Sequence, residues 1–260
     1  MEKREILNDY KKQEDKILLA KILDKIDIAE KRNTVETTDF LDMYQISLAQ
    51  NFLKKISFKD YIFYGGYEQA ERKVLIVYSQ KYDESMIDKN KQSKIEIVRI
   101  DLPEQEKGSL SHRNYLGGII KIGVKREKVG DILVRTEGAD IIVIRDIAGT
   151  LERELPLLTR FSNSKIYIED IKNLKKQEVK IEEITIIVPS LRLDNFVSDL
   201  ARTSRSKAVQ IINQERVFIN GQNEIKVSKQ VKLNDVITIR GKGRFIIKDF
   251  TGMTRNGRYV

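Results

Sequence analysis

Between residues 94 and 171 the spacing of apolar residues switches repeatedly between two periods, and the order of those switches restricts the fold more than any other feature. "KIEIVRIDL", "GDILVRT", "ADIIVIRD" and "KIYIEDI" are strand-length runs rich in β-branched residues. "SHRNYLGGIIKIG" and "GTLERELPLLTR" space their apolar residues three and four apart, as a helix requires. The resulting order, βαββαβ, is that of a ferredoxin-like split βαβ unit. Val129-Gly130-Asp131 and Glu137-Gly138-Ala139-Asp140 break the chain around the second of these strands. Pro156 removes a donor inside the second helix, which is expected to kink or end there.

Upstream, residues 1–59 read as a helical region. Leu7, Tyr10, Ile17, Leu18 and Ile22 form one face, and Thr38 is a candidate N-cap for a second helix bearing Phe40, Met43, Ile46, Leu48 and Leu53. "YIFYGGYEQAERKVLIVYS" reads as two strands interrupted at Gly65-Gly66, assigned with the βαββαβ unit to a central domain over 60–183. The charged stretch "NLKKQEVKIEE" is the expected linker to a third domain, 184–260. The expected class is therefore α+β: a helical N-terminal region, a ferredoxin-like centre and a small C-terminal domain.

Charge separates that last domain from the rest. The chain carries a net +9, yet residues 185–260 hold 14 Lys and Arg against 6 Asp and Glu. Residues 1–184 are nearly balanced, 34 against 33. Cations segregated onto one small domain mark a polyanion partner. There is no cysteine, so disulfides and thiolate metal sites are excluded. No apolar run reaches the roughly 20 residues of a membrane span, and the N-terminal "MEKREILNDYKKQEDK" lacks a signal-peptide core. A cytoplasmic protein without a membrane partner is expected.

"SLRLDNFVSDLARTSRSKAVQIINQERVFINGQ" holds two short helices. Ser190 is a candidate cap for the first, whose stripe is Leu193, Phe196, Val197 and Leu200, with Asn195 and Arg202 on the far side. Ser204 caps the second; Ala208, Val209, Ile211 and Ile212 face inward, Lys207 and Gln210 outward. "RVFIN" is a strand, Asn220-Gly221 its turn, and "VITIRGKGRFIIKDF" a hairpin around Gly241-Lys242-Gly243-Arg244. The second helix thus offers free N–H groups and the positive end of its dipole to phosphate, inside a basic cluster.

This pattern closely resembles the S4 RNA-binding domain. The matching residues are Arg192-Leu193-Asp194, Ser204-Arg205-Ser206-Lys207-Ala208, Ile211-Ile212, Val217-Phe218-Ile219-Asn220-Gly221, Asp235-Val236-Ile237 and Gly243-Arg244-Phe245. Glu215 departs from it, standing where many S4 domains close the helix with glycine, so a rearranged cap is expected. Upstream, "FYGGYEQAERKV", "SHRNYLGGIIKIGVKREKVGDILV" and "GADIIVIRD" resemble the YlmH-like S4 proteins of bacteria. That resemblance implies a non-enzymatic factor that binds large ribosomal subunits carrying peptidyl-tRNA and supports quality control of stalled nascent chains. The implied partners are rRNA of the large subunit, tRNA or peptidyl-tRNA, and other quality-control factors.

The RNA-contacting residues expected are Arg192, Arg202, Thr203, Ser204, Arg205 and Ser206, with Lys207, Gln210, Arg216, Asn220, Lys242 and Arg244 around them. Arg192 and Arg205 are expected to be replaceable by alanine at little cost in stability. No cofactor, metal or catalytic residue is expected. The βαββαβ order is also that of the RNA recognition motif, which stacks bases on aromatics in its middle strands. "IEIVRI" and "ADIIVIRD" have none, so a docking platform is the expectation there. Arg113, Lys121, Lys125, Arg126 and Lys128 are either a secondary phosphate patch or a solvated face.

The alternative class is an S4-bearing RNA-modifying enzyme, pseudouridine synthase-like or methyltransferase-like. Arg192-Leu193-Asp194 has the Arg-Leu-Asp of such synthases but continues Asn-Phe rather than Thr-Ser-Gly, and Asp194 reads as an ion-pair residue. Gly241-Lys242-Gly243 lies between strands with no helix following, as a hairpin turn does. His112, the only histidine, reads as a cap or surface residue.

Overall fold

The computed structural model describes residues 5–82, 84–175 and 182–260. The chain divides into two compact units, Met1–Glu178 and Val179–Val260. Most of the expected linker, and the first four residues of the expected helical region, lie outside the described residues.

The first unit opens with a 3-10 turn, Glu5–Asp9, and then α1 (Gln13–Arg32), ended by Asn33 in the left-handed region at φ 51°. The next residues correct the all-helical reading of 1–59. Val35–Leu41 is a strand, β1, and α2 (Met43–Lys55) starts only after it. Asp42, not Thr38, caps α2: its carboxylate accepts from the Gln45 N–H (2.9 Å) and the Gln45 side chain accepts from the Asp42 N–H (3.0 Å). The Thr38 hydroxyl instead accepts from the Leu75 N–H (3.0 Å), within a bulge of the β1 ladder. β3 (Lys73–Tyr78) pairs with β1 on one side and with β2 (Tyr61–Tyr64) on the other, a separate sheet from the central strands, in the order β1-β3-β2.

After α3 (Glu84–Lys94) come β4 (Ile95–Asp101), α4 (His112–Lys121), β5 (Val129–Arg135), β6 (Gly138–Ile144), α5 (Arg145–Glu154) and β7 (Lys165–Glu169). Their sheet order is β5-β6-β4-β7, all antiparallel, which is the ferredoxin-like arrangement. α5 stops at Glu154, and Pro156 lies in the 3-10 turn that follows.

The two faces of this sheet differ. Val98, Ile100, Ala139, Ile141 and Val143 bury one face with Tyr115, Leu151 and Phe161. On the other, Ile95, Ile97 and Ile142 pack with Phe40, Val74 and Ile76 of the β1-β3-β2 sheet. Part of the surface on which an RNA recognition motif would stack bases is therefore apolar and buried. Gly130 allows this close packing, since a Cβ there would lie 2.7 Å from the Phe40 ring. Alongside, the Asp131 carboxylate accepts from the Tyr67 hydroxyl (2.8 Å) and from the N–H groups of Glu71 (2.8 Å) and Arg72 (3.2 Å), tying the β2–β3 loop to β5. Burial pushes the Asp131 carboxyl above its ordinary pKa, the tyrosine hydrogen bond partly offsetting it.

The second unit contains α6 (Leu193–Leu200), α7 (Arg205–Asn213), β8 (Val217–Ile219), β9 (Gln222–Asn223), β10 (Val236–Ile239) and β11 (Gly243–Ile246), with sheet order β11-β10-β8-β9. Leu193, Val197, Ala208, Ile212, Val217, Ile237 and Ile239 are its buried centre. Each fully buried Leu, Ile or Val side chain contributes about 1.5–3 kcal/mol. Asn220 and Gly221 take φ of 50° and 80°, as a two-residue hairpin turn requires. Glu215 does adopt the left-handed cap, at φ 57°, with its N–H bonded to the Ile212 carbonyl (3.0 Å). No rearrangement occurs there; the glutamate carries the conformational cost.

Candidate nucleic-acid interface

α6 and α7 meet around one buried carboxylate. Asp194 is 1% exposed. Arg192 reaches it with Nε (3.0 Å) and Nη2 (3.3 Å), and Arg205 with Nε (2.7 Å). Burial alone would raise the Asp194 pKa, but the hydrogen bonds from Arg192 and Arg205 outweigh it and hold the carboxyl below its usual range. The arginine side chains remain 35% and 58% exposed, so each guanidinium spends part of its fork on Asp194 and keeps donors toward solvent. One anchored carboxylate thereby aims two cations at a single patch.

The backbone explains how the patch is held. Arg192, not Ser190, is the N-cap residue of α6. The first N–H groups of α6 are taken by a loop far along the chain, Leu193 N to Lys229 O (2.8 Å) and Asp194 N to Val227 O (3.2 Å). Ser190 instead receives the Asn195 amide, at its carbonyl (3.1 Å) and hydroxyl (2.8 Å). Asn195 is thus buried, not on an outward face.

Arg202 ends α6 in the left-handed region at φ 50°, exposed, while the Thr203 N–H bonds to Ser198 O (2.9 Å) and the Thr203 carbonyl accepts from the Ser198 hydroxyl (2.7 Å). Ser204 caps α7 by accepting from the Lys207 N–H (3.3 Å), and its hydroxyl lies 3.1 Å from that of Ser206. Lys207 and Gln210 are exposed.

The remaining candidates do not join this cluster. The Arg216 guanidinium donates to the Arg240 carbonyl (2.9 Å), tying the end of α7 to the β10–β11 turn, where Lys242 and Arg244 are exposed. Asn220 spends its whole amide inside the fold, donating to Asp235 (2.9 Å) and accepting from the Val236 N–H (2.9 Å). The loop that supplies the carbonyls at Val227 and Lys229 carries exposed Lys226, Lys229 and Lys232, none of them expected at the site. Their regular three-residue spacing was the only signal in the sequence; their position beside α6 depends on the long-range hydrogen bonds.

In the first unit, two of the five candidate patch cations are engaged by neighbouring groups of the fold. Arg126 donates to the Gly130 carbonyl (3.0 Å), and burial, with the neighbouring Arg72, pushes its pKa down to about 10. Lys128 pairs with Asp39 at 2.6 Å. Arg113, Lys121 and Lys125 stay exposed. His112 is the first residue of α4, beside the capping Ser111; partial burial, reinforced by Arg126, holds its imidazole below the ordinary pKa.

Comparison with known proteins gives family matches along the chain. Residues 191–237 match the S4 domain, residues 89–175 match an RNA-binding domain described in YlmH, and residues 14–82 match the YlmH N-terminal domain. The fold and site define an S4-domain RNA-binding protein. More particularly, the chain is a YlmH-like S4-domain protein, with two YlmH domains preceding the S4 domain. It is 29% identical over 238 residues to ribosome-associated protein quality control protein P2 of Bacillus subtilis (strain 168), covering 89% of this chain and 88% of that one. A solved chain, cell division protein ylmH from Streptococcus pneumoniae, is similar at TM-score 0.47 and 20% identity, over 63% of this chain and 95% of that one. Among the described residues, no helix is long and apolar enough to cross a membrane.

Proposed function

We propose that this protein is a non-enzymatic factor that binds large ribosomal subunits carrying peptidyl-tRNA and supports ribosome-associated quality control. The relative's name supports the ribosomal setting. The observation that carries the binding chemistry is the Arg192–Asp194–Arg205 clamp beside the N-terminus of α7, on a unit holding most of the excess positive charge. The first N–H groups of α7 lack intrahelical acceptors, and phosphate oxygens suit both these and the free guanidinium donors. The twelve expected contact residues reduce to Arg192, Arg202, Thr203, Ser204, Arg205, Ser206, Lys207 and Gln210 as one surface. Lys242 and Arg244 form a second. Arg216 and Asn220 act in the fold.

The same geometry argues against the synthase reading. An aspartate that attacks a base must reach it, and Asp194 is enclosed between two arginines. A depression of about 660 Å³ on the helix side of the central sheet contains one carboxylate, Glu106, without a second carboxylate or a histidine.

Asp194 also corrects an expectation about mutants. Removing both arginines would strand a buried carboxylate and cost about 3–5 kcal/mol, so the double alanine variant would not keep its stability. Arg205→Ala with Lys207→Ala leaves Asp194 paired to Arg192 and is the cleaner test. Wild type should co-sediment with large subunits carrying peptidyl-tRNA, and this variant should be released while melting near the wild-type temperature. Undiminished co-sedimentation of the variant would refute the proposed face.

A further inference from the structure

Beyond β11 the chain folds back on itself as an ordered arm. Phe250 and Tyr259 pack against the core of the second unit. The Thr251 N–H donates to Val260 O (2.9 Å), the Val260 N–H to Gly252 O (3.0 Å) and the Thr254 N–H to Arg258 O (2.8 Å). Gly257 N–H closes the turn onto Thr254 O (2.9 Å), and Gly257 takes φ 71°, which makes a three-residue hairpin loop ending on a left-handed glycine. Val188 and Tyr259 exchange backbone hydrogen bonds, both 2.9 Å, anchoring the base of the arm.

The tip is basic. Arg255, Asn256, Gly257 and Arg258 are all exposed, and neither guanidinium has a partner among the described residues. Lys248 pairs with Glu183, and Asp249 accepts from the Phe250 N–H (2.8 Å), so the neighbouring charges are already engaged. Two like charges on a short, pinned turn repel each other and contribute no packing. Their placement is informative: Val188, to which the arm is anchored, is four residues before Arg192, a reach of at most about 14 Å.

We propose that the 251–260 hairpin is a second phosphate-binding arm, with Arg255 and Arg258 contacting RNA backbone that flanks the clamp on α6 and α7. It lies outside the residues matched to the S4 domain, 191–237. This inference rests on the RNA-binding reading of that clamp, and the experiment separates the two.

The full chain, Arg255→Gln/Arg258→Gln, Arg255→Lys/Arg258→Lys and Arg205→Ala are titrated with purified large-subunit ribosomal RNA across a salt series. Each phosphate contact contributes about 0.7–0.9 to the slope of log affinity against log salt. The glutamine pair should lower the slope by about 1.4–1.8 and the affinity on the order of tenfold at moderate salt. The lysine pair should keep most of both, and the melting temperatures should match wild type. A slope unchanged by the glutamine pair, while Arg205→Ala still weakens binding, would overturn the arm and leave the clamp standing. A lysine pair as defective as the glutamine pair would make these arginines structural and overturn it too. Weaker binding to intact subunits with an unchanged RNA slope would assign the arm to a protein partner instead. A wild-type protein without a salt-dependent slope would refute the underlying RNA-binding reading.

Discussion

Among the described residues, two buried aspartates, Asp140 and Asp194, are gripped by arginines, and of these two clusters the one around Asp194 looks outward. In the central sheet, Asp140 is fully buried and binds Arg99 through Nε (2.8 Å) and Nη2 (2.9 Å). Arg99 also donates to the Asn173 carbonyl (2.7 Å), and Arg135 reaches both Asp140 (3.0 Å) and Asp101 (3.3 Å). The Arg99 and Arg135 side chains are 6% and 8% exposed. In the second unit, the arginines around Asp194 are 35% and 58% exposed. The local chemistry is shared, but the donors left over face protein in one case and water in the other. An arginine beside a buried carboxylate is a structural tie when its remaining donors face protein, and it is open to a ligand when they face water.

The largest effect expected from this contrast is in the central sheet. Asp140→Ala would leave Arg99 and Arg135 buried without their shared anion, at a cost of about 3–5 kcal/mol, read as a lowered urea midpoint. Burial works to raise the Asp140 pKa, but hydrogen bonds from Arg99 and from the Lys175 N–H hold it below the ordinary value. A depressed carboxyl pKa gives stability that is present above the unfolded value, near 4, and is lost as pH falls through the folded one. Stability should therefore decline in acid below about pH 4. An Asp140→Ala variant as stable as wild type would break the comparison.

A smaller effect separates charge from fold at the helix junction. Arg202 holds a left-handed conformation that glycine adopts more cheaply. Arg202→Gly should stabilise the second unit by about 0.5–1 kcal/mol while weakening RNA binding severalfold. Denaturation and RNA titration of the same sample check both signs at once. If stability and affinity move together, Arg202 is there for the fold.

What the sequence disclosed follows the range of the interactions involved. The βαββαβ order, the two helices of the second unit, the Ser204 cap and the Asn220-Gly221 turn rest on local periodicity and turn chemistry, and these were legible. β1 was not. "VETTDFL" is short, bulged and flanked by helical patterns, and its strand character depends on pairing with β3, more than thirty residues later. The site divided in the same way. The basic cluster and the ion-pair role of Asp194 could be read, but the burial of Asn195 and the loop carrying Lys226, Lys229 and Lys232 depend on tertiary contacts. Asn220 matches the S4 pattern and Arg216 stood among the expected contacts, yet one closes a turn and the other a tie, which a motif alone does not distinguish from RNA contact.

The central claim is that Asp194 holds a guanidinium fork, rather than a mere positive charge, toward phosphate. The most direct measurement is RNA affinity for Arg205→Lys beside Lys207→Arg, two substitutions that leave net charge unchanged. Ammonium cannot share itself between carboxylate and phosphate with the planar geometry of guanidinium. The account predicts that Arg205→Lys loses about tenfold, roughly 1.4 kcal/mol, with an unchanged melting temperature, while Lys207→Arg binds as wild type does. Equal affinity for the two variants would contradict it.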